Sequence, residues 1–370
     1  MSIRILYFIG QCLSLDEHPS FRETIIAQFS DPGYDWNSFI WTCSNHLVLP
    51  VIYLKFLKND LLGYLPEVLA QHLEEIYTLN RTRNEQILLQ VKEINATLNA
   101  AGISPIYLKG TGNLIDGIYS DIGERIIGDI DLLVPDIDYL KAVEMAKAIG
   151  YTNHWGEPRK PKELKHYPGL FREDVPADIE IHRLPVVPEY LKHFNSEMIF
   201  EQKTTVAGFP GCFVPCNKHK VIQNFIHSQL SNGGYRLGVV TLRDIYDLYC
   251  FSKQVDLIKI LEVTPYRKKF ITYLMISERI FNISGCLYTG KKIQMRWYKL
   301  KYNLNNSSAL FFKVNRLAWL LTQGIVFGYK RTIESLSDSN LLWNDLKQIL
   351  RPEWHRRNIN IGIEIYRGKK

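Results

Sequence analysis

Apolar residues Ile87, Val91, Ile94 and Leu98 recur at steps of four, three and four, which gathers them into one stripe of a helix while Arg83, Glu85, Lys92 and Asn95 fall mostly on other faces. Residues 1–100 read as helical throughout, and Gly102 is a natural terminator for the last of these helices. The period changes at Ile103. Ser104-Pro-Ile-Tyr-Leu108 is short, β-branched and aromatic, and it runs into Lys109-Gly-Thr-Gly112 as a strand turning into a helix would. A helix is expected around residues 113–119, then a glycine-containing loop from Ser120 to Gly128, then Asp129-Ile-Asp-Leu-Leu-Val134 as the clearest strand in the chain. Ile137, Leu140, Val143, Ala146 and Ile149 mark a following helix, with Asp136 as its N-cap and Gly150 as its terminator. After a loop-rich connection over residues 156–176, the alternation in Ala177-Asp-Ile-Glu-Ile-His-Arg-Leu184 predicts another strand. From Asn217 onward the pattern is helical again, best over Val221–Leu230 and Thr241–Tyr249, with Asn232-Gly-Gly-Tyr235 as a turn. The chain therefore reads as an α+β fold in three regions: helices over 1–100, an α/β core over 101–215 and basic helices over 216–370.

A chain of 370 residues with ordinary apolar and charged content has enough length for cores of normal size, which excludes a small stapled scaffold and a mostly disordered chain. Its formal charge of +7 conceals an asymmetry. Residues 251–370 carry 22 lysines and arginines against 8 aspartates and glutamates, whereas residues 1–250 carry 23 against 30. A basic end of this kind attracts phosphate on nucleic acid, on an anionic membrane surface or on a small molecule, and a merely solvated basic face has the same composition. Cys12, Cys43, Cys212, Cys216, Cys250 and Cys286 sit mostly among apolar neighbours and read as reduced, buried thiols. The N-terminus makes a poor signal peptide, and the longest later apolar stretch, Leu317–Tyr329, falls short of the roughly 18 residues that a spanning helix needs. A cytoplasmic protein with no membrane span is expected.

The chemistry begins with Asp129 and Asp131. Two apart on a strand, both carboxylates point to the same side. They repel unless a cation joins them, and hard oxygen ligands suit Mg²⁺ or Mn²⁺, pairs of which serve in-line phosphoryl displacement. An exposed acidic strand end has the same spelling. On the later strand Asp178, Glu180 and His182 share a face, and a third carboxylate beside the pair would complete a two-metal site and accept the proton of an attacking hydroxyl. Lys109-Gly-Thr-Gly112 adds a glycine turn where backbone N–H groups can approach a phosphate, with a cation nearby.

In these residues the sequence resembles the uncharacterised nucleotidyltransferases of the DNA polymerase β-like superfamily. The resemblance rests on Ile106-Tyr-Leu-Lys-Gly110, Arg125-Ile-Ile-Gly-Asp-Ile-Asp-Leu-Leu-Val134 and Ile179-Glu-Ile-His182. It extends to Trp36–Tyr53, His227 and Leu242-Arg-Asp-Ile-Tyr-Asp-Leu248, and so covers about residues 30–250. It implies a small mixed β-sheet flanked by helical regions, with Asp129 and Asp131 holding both metals and Glu180 in the third position. Gly110 and Thr111 would stand where the superfamily has its Gly-Ser turn. The implied reaction is Mg²⁺-dependent (or Mn²⁺-dependent) transfer of a nucleoside monophosphate from an NTP such as ATP, bound against Lys109, Gly110 and Thr111, to an unknown acceptor that could be a small molecule, RNA or protein. Pyrophosphate would leave.

Further candidates surround this set. Arg125 would either contact the triphosphate or tie its loop to Glu124 or Asp121. His182 would orient Glu180 or a substrate, or be a buried hydrogen-bonding histidine. His227, among Phe225, Ile226 and Leu230, reads as a packed helix residue. Arg243 and Asp247, four apart, would pair with each other or face the cleft. Cys212, Cys216 and His219 lack the second ligand pair of a zinc site. Aromatic and basic residues interleave at Arg296-Trp-Tyr-Lys299, Lys301-Tyr302 and Trp354-His-Arg-Arg357, a pattern shared by single-stranded nucleic acid binders and by amphipathic helices. The competing functional readings are a non-catalytic binding or regulatory protein on the same fold, and a nucleic-acid-binding protein acting through its basic C-terminal region.

Overall fold

In the computed structural model, described over residues 3–153, 156–158, 160–264, 266–281, 292–308 and 310–322, the apolar stripe read from the sequence is the inner face of a helix of 34 residues, α5 (Glu67–Ala100). Ile87, Val91, Ile94 and Leu98 are all buried. Asn95, read as part of the polar face, is buried too and donates to the Pro210 carbonyl at 2.8 Å. Four shorter helices precede it: α1 (Ile3–Leu13), α2 (Phe21–Phe29), α3 (Trp36–Asn45) and α4 (Leu49–Lys58). Their packing centres on edge-to-face contacts of Phe29 with Phe8, Phe39 and Phe56, a geometry that aromatic quadrupoles favour. Gly102, with φ of +78°, supplies the left-handed residue that ends α5.

The α+β architecture follows. A mixed sheet of seven strands has the order β3-β4-β5-β2-β1-β7-β6. These are β1 (Ile106–Tyr107), β2 (Ile130–Leu133), β3 (Thr152–Asn153), β4 (Leu170–Phe171), β5 (Ile179–His182), β6 (Lys203–Val206) and β7 (Phe209–Pro215). The short α6 (Lys109–Ile115) and α7 (Tyr139–Ala148) lie between the early strands, and α8 (Ser196–Glu201) precedes β6. After the sheet come α9 (Asn217–Phe225), α10 (Gly234–Leu237), α11 (Leu242–Ser252), α12 (Leu257–Val263), α13 (Arg267–Phe281) and α14 (Lys292–Ser307). A π-helical turn, Ile226–Ser231, continues α9.

Several expectations move. The helix after β1 starts at Lys109, ahead of the expected residue 113, and Gly112 explains how: a Cβ there would lie 2.4 Å from the Tyr107 carbonyl oxygen, so only glycine lets the helix sit on the strand backbone. Asp136 opens a 3₁₀ turn rather than capping a helix, and Ile137 in that turn is 92% exposed instead of joining the apolar stripe, because α7 begins only at Tyr139. In α14, Tyr298 is buried while Trp297 is 68% exposed, and Tyr302 is buried as well, so two of these three rings are packed rather than open to a base. Cys12, Cys43, Cys212 and Cys250 are buried free thiols and Cys216 is half-buried. Cys286, the Trp354–Arg357 run and the end of the Leu317–Tyr329 stretch lie outside the described residues.

Among the described residues no single helix is long and apolar enough to cross a membrane. The described residues of Met1–Tyr235 and Val240–Lys299 form one compact unit, and those of Arg236–Val239 and Leu300–Lys370 a second. The whole sheet belongs to the first. Within the second, Asn315 Nδ2 donates to the Leu237 carbonyl at 2.8 Å.

Candidate active site

β2 and β5 are parallel neighbours with Asp131 opposite Glu180 and Leu133 opposite His182, and Asp129 stands just before β2. Ile179 and Ile181 point the other way, beside Ile94 and Leu98 of α5 and Ala142 and Ala146 of α7. That burial pins the register, since a slip of one residue would exchange the two faces. The same alternation turns Asp129, Asp131 and Glu180 into a cavity of about 340 Å³.

The loop leading to Asp129 is held from below by α5. Asn80 Nδ2 donates to the Gly123 carbonyl at 2.8 Å, Asn84 Nδ2 to those of Ile122 and Arg125 at 2.6 and 2.8 Å, and Arg83 to those of Ile127, Gly128 and Pro176. Gln90 Nε2 holds the Ala177 carbonyl at 2.6 Å, just ahead of β5. These amides satisfy loop carbonyls that burial would otherwise leave unpaired. Thr111 is buried, and its hydroxyl donates to the Asp129 carbonyl at 2.9 Å. It supports the carboxylate from behind, while Gly110 lines the cavity itself.

Lys109, in the left-handed region at φ +48°, reaches back over the strands. Its Nζ lies 2.5 Å from Asp131 Oδ1 and 3.9 Å from Glu180 Oε2. His182 Nε2 lies 2.8 Å from the same Asp131 oxygen and 3.3 Å from Glu180 Oε2. Asp131 Oδ1 and Glu180 Oε2 can therefore be no farther apart than the sum of those two distances. His182 is fully buried behind the carboxylates. Asp178 lies beside Gly169, outside the cavity lining.

The electrostatics differ from one acid to the next. Burial alone would raise the Asp131 carboxyl, but Lys109 and the His182 hydrogen bond overcome it and hold the group well below the usual carboxylate range. Glu180 is lowered in the same way, burial being outweighed by His182 and the nearby His166 and Lys109. Asp129 goes up, pushed by withdrawal from water and by the negative charges of Asp131 and Glu180. Burial would lower the Lys109 ammonium, yet Asp131 keeps it above its ordinary value.

The opposite wall is helical. Lys220, Gln223 and Asn224 of α9, His227 of the π-helical turn and Arg243, Asp244, Asp247 and Phe251 of α11 line it. The turn rotates His227 into the cleft, which a regular helical period does not foresee, and burial pushes its imidazole down to about 4. Arg125 lines the cleft but does not tie its loop to Glu124 or Asp121. It pairs with Asp247, Nε to Oδ1 at 2.9 Å and Nη2 to Oδ2 at 3.0 Å, both residues being buried. Arg243 lies 3.5 Å from Asp244 instead of pairing with Asp247, and Lys220 pairs with Asp116. Lys165 has no ion-pair partner among the described residues.

Two further features escaped the sequence reading. His166 lines the cavity with its Nε2 3.9 Å from Glu180 Oε2, placed there by an antiparallel bridge to His182. Its signal was its position in the loop before β4, which alternation does not reach. A larger cavity, about 1040 Å³, lies among the N-terminal helices and shares no lining residue with the carboxylate cleft. A family model described as uncharacterised nucleotidyltransferase matches residues 32–264. No curated protein matches the chain.

Proposed function

Because the chain belongs to the family of uncharacterised nucleotidyltransferases, we propose that it transfers a nucleoside monophosphate from an NTP to a hydroxyl or phosphate of an acceptor, releasing pyrophosphate, in the cleft between β2–β5 and α9–α11. The observation that carries this reading is the convergence of Asp129, Asp131 and Glu180 from parallel neighbouring strands into one cavity. The Asp129 carboxylate has no hydrogen bond or ion pair among the described residues and its pKa is raised, so the set lacks positive charge. Hard carboxylate oxygens in that state fit Mg²⁺ or Mn²⁺, which when bound would neutralise the triphosphate and activate the attacking oxygen.

The chain's own residues do the rest. Gly110 leaves room for phosphates beside the Lys109 turn, and Lys165 and Arg243 offer charge to their outer oxygens. Arg125, fixed by Asp247, shapes the wall without reaching out. Glu180, backed by His182 at 3.3 Å, accepts the acceptor's proton as the new bond to the α-phosphorus forms and the bridge to the β-phosphate breaks. The test is NTP-dependent pyrophosphate release in the presence of fractionated cell extract, run with and without a chelator. Release that stops with chelator and returns with Mg²⁺ supports the reading; release unaffected by chelator overturns the metal assignment.

A second reading has one observation in its favour. The Lys109 ammonium already neutralises Asp131 and approaches Glu180, as it would in a non-catalytic protein that binds nucleotide without metal. NTP affinity that is the same with and without Mg²⁺ would favour that reading over transfer.

A further inference from the structure

We propose a second metal position beside the carboxylates, formed by His166, His182 and Glu180 and selective for a transition-metal ion over Mg²⁺. One donor atom from each of the three lies within 4.8 Å of the others. His182 Nε2 and His166 Nε2 lie 3.3 and 3.9 Å from Glu180 Oε2. Donors of a tetrahedral ion with bonds near 2.0–2.1 Å stand roughly 3.3–3.5 Å apart, so the His182–Glu180 edge already fits. The His166 edge closes by a small rotation of a half-buried ring.

The His166 tautomer points the same way. His166 Nδ1 lies 2.9 Å from the Tyr167 carbonyl oxygen and His182 Nδ1 lies 3.4 Å from that of Leu184. A carbonyl can only accept, so the His166 Nδ1 carries the hydrogen and donates it, whereas His182 Nε2, 2.8 Å from the Asp131 carboxylate, donates to that oxygen and must give up this proton to ligate an ion. In the neutral His166 ring the lone pair is then on Nε2, the atom that faces Glu180. An imidazole lone pair and a carboxylate oxygen turned toward one point repel each other unless a cation joins them. An imidazole anchored through its far nitrogen to a backbone carbonyl is also the usual outer support of a metal-ligating histidine. The rings are held in place by the His166–His182 bridge, with centroids 4.7 Å apart. Three protein ligands leave a position open for water or a phosphate oxygen. Two nitrogens among three donors favour Zn²⁺, Co²⁺ or Mn²⁺ over Mg²⁺, which prefers oxygen.

Binding can be read without turnover, so its failure would leave the transferase reading standing. The full-length protein, freed of metal by chelator and dialysis, is titrated with Co²⁺ and followed by visible ligand-field absorption. The proposal expects bands that saturate at one equivalent, bleach on adding Zn²⁺ and survive a large excess of Mg²⁺. His166→Gln, at a half-buried position, should weaken Co²⁺ binding at least about tenfold, while Asp129→Asn leaves the bands in place. Absent bands, displacement by Mg²⁺, bands unchanged in His166→Gln or bands lost in Asp129→Asn would each overturn it. The Mg²⁺ arm needs no variant, so the proposal stays open to refutation even if His166→Gln fails to fold.

Discussion

On the helical wall of the cleft Asp247 holds Arg125 through two hydrogen bonds, Lys220 holds Asp116 and Arg243 lies against Asp244. On the sheet wall three carboxylates have only the Lys109 ammonium within 4 Å among the described residues, and the Asp129 carboxylate has no hydrogen-bond or ion-pair partner among them. Pairing offsets part of what burial costs these charges, and removing one partner strands the other. Crowded carboxylates do the reverse: they raise the free energy of the empty site and lower it once a cation arrives. The helical wall spends its charge on the fold, and the sheet wall keeps charge available for ligand.

The largest effect expected from this contrast is on chemistry. Asp129→Asn should lower pyrophosphate release by about three orders of magnitude, the equivalent of about 4 kcal/mol of transition-state stabilisation. Its urea midpoint should stay level or rise, because a repulsion is removed. A clear loss of stability would break the comparison. Asp247→Asn should do the opposite, costing about 3–5 kcal/mol in urea unfolding by leaving the Arg125 guanidinium buried and unpaired. Next in size is Gly112→Ala, where a methyl group would press on the Tyr107 carbonyl at 2.4 Å. Overpacking of this kind costs about 1–3 kcal/mol, and thermal unfolding would measure it.

The smallest effect concerns pH. His46 Nδ1 accepts the N–H of Leu242, the first residue of α11, at 3.1 Å, and burial lowers its imidazole to about 4. The unfolded chain, with an imidazole near 6.5, takes up the proton first as pH falls. Stability should therefore be level above about pH 6.5 and decline from there toward pH 4, by at most about 1.4 kcal/mol per pH unit for this one group. His46→Gln should flatten the decline seen in urea midpoints; an unchanged slope would assign it to other groups.

The sheet wall was legible because its signals are local. Alternation in Ile130–Leu133 and Ile179–His182 identifies both strands and the face their acids share. The helical wall was not, since the partner of Arg125 is 122 residues away in sequence and a π-helical turn moves His227 out of helical phase. β3 and β4 have two residues each, too few to show a period, and β7 contains Pro210 and Gly211, residue types that strands disfavour. Asn80, Asn84 and Gln90 are buried for loop carbonyls that only the folded chain brings near.

The most direct measurement follows the fate of the NTP phosphates. Incubated with each NTP labelled in turn at the α- and γ-phosphate, plus fractionated cell extract, the protein should move the α label onto an acceptor and release the γ label as pyrophosphate, and Asp131→Asn should do neither. Transfer of the γ label to the acceptor, or equal transfer by wild type and Asp131→Asn, would contradict the account.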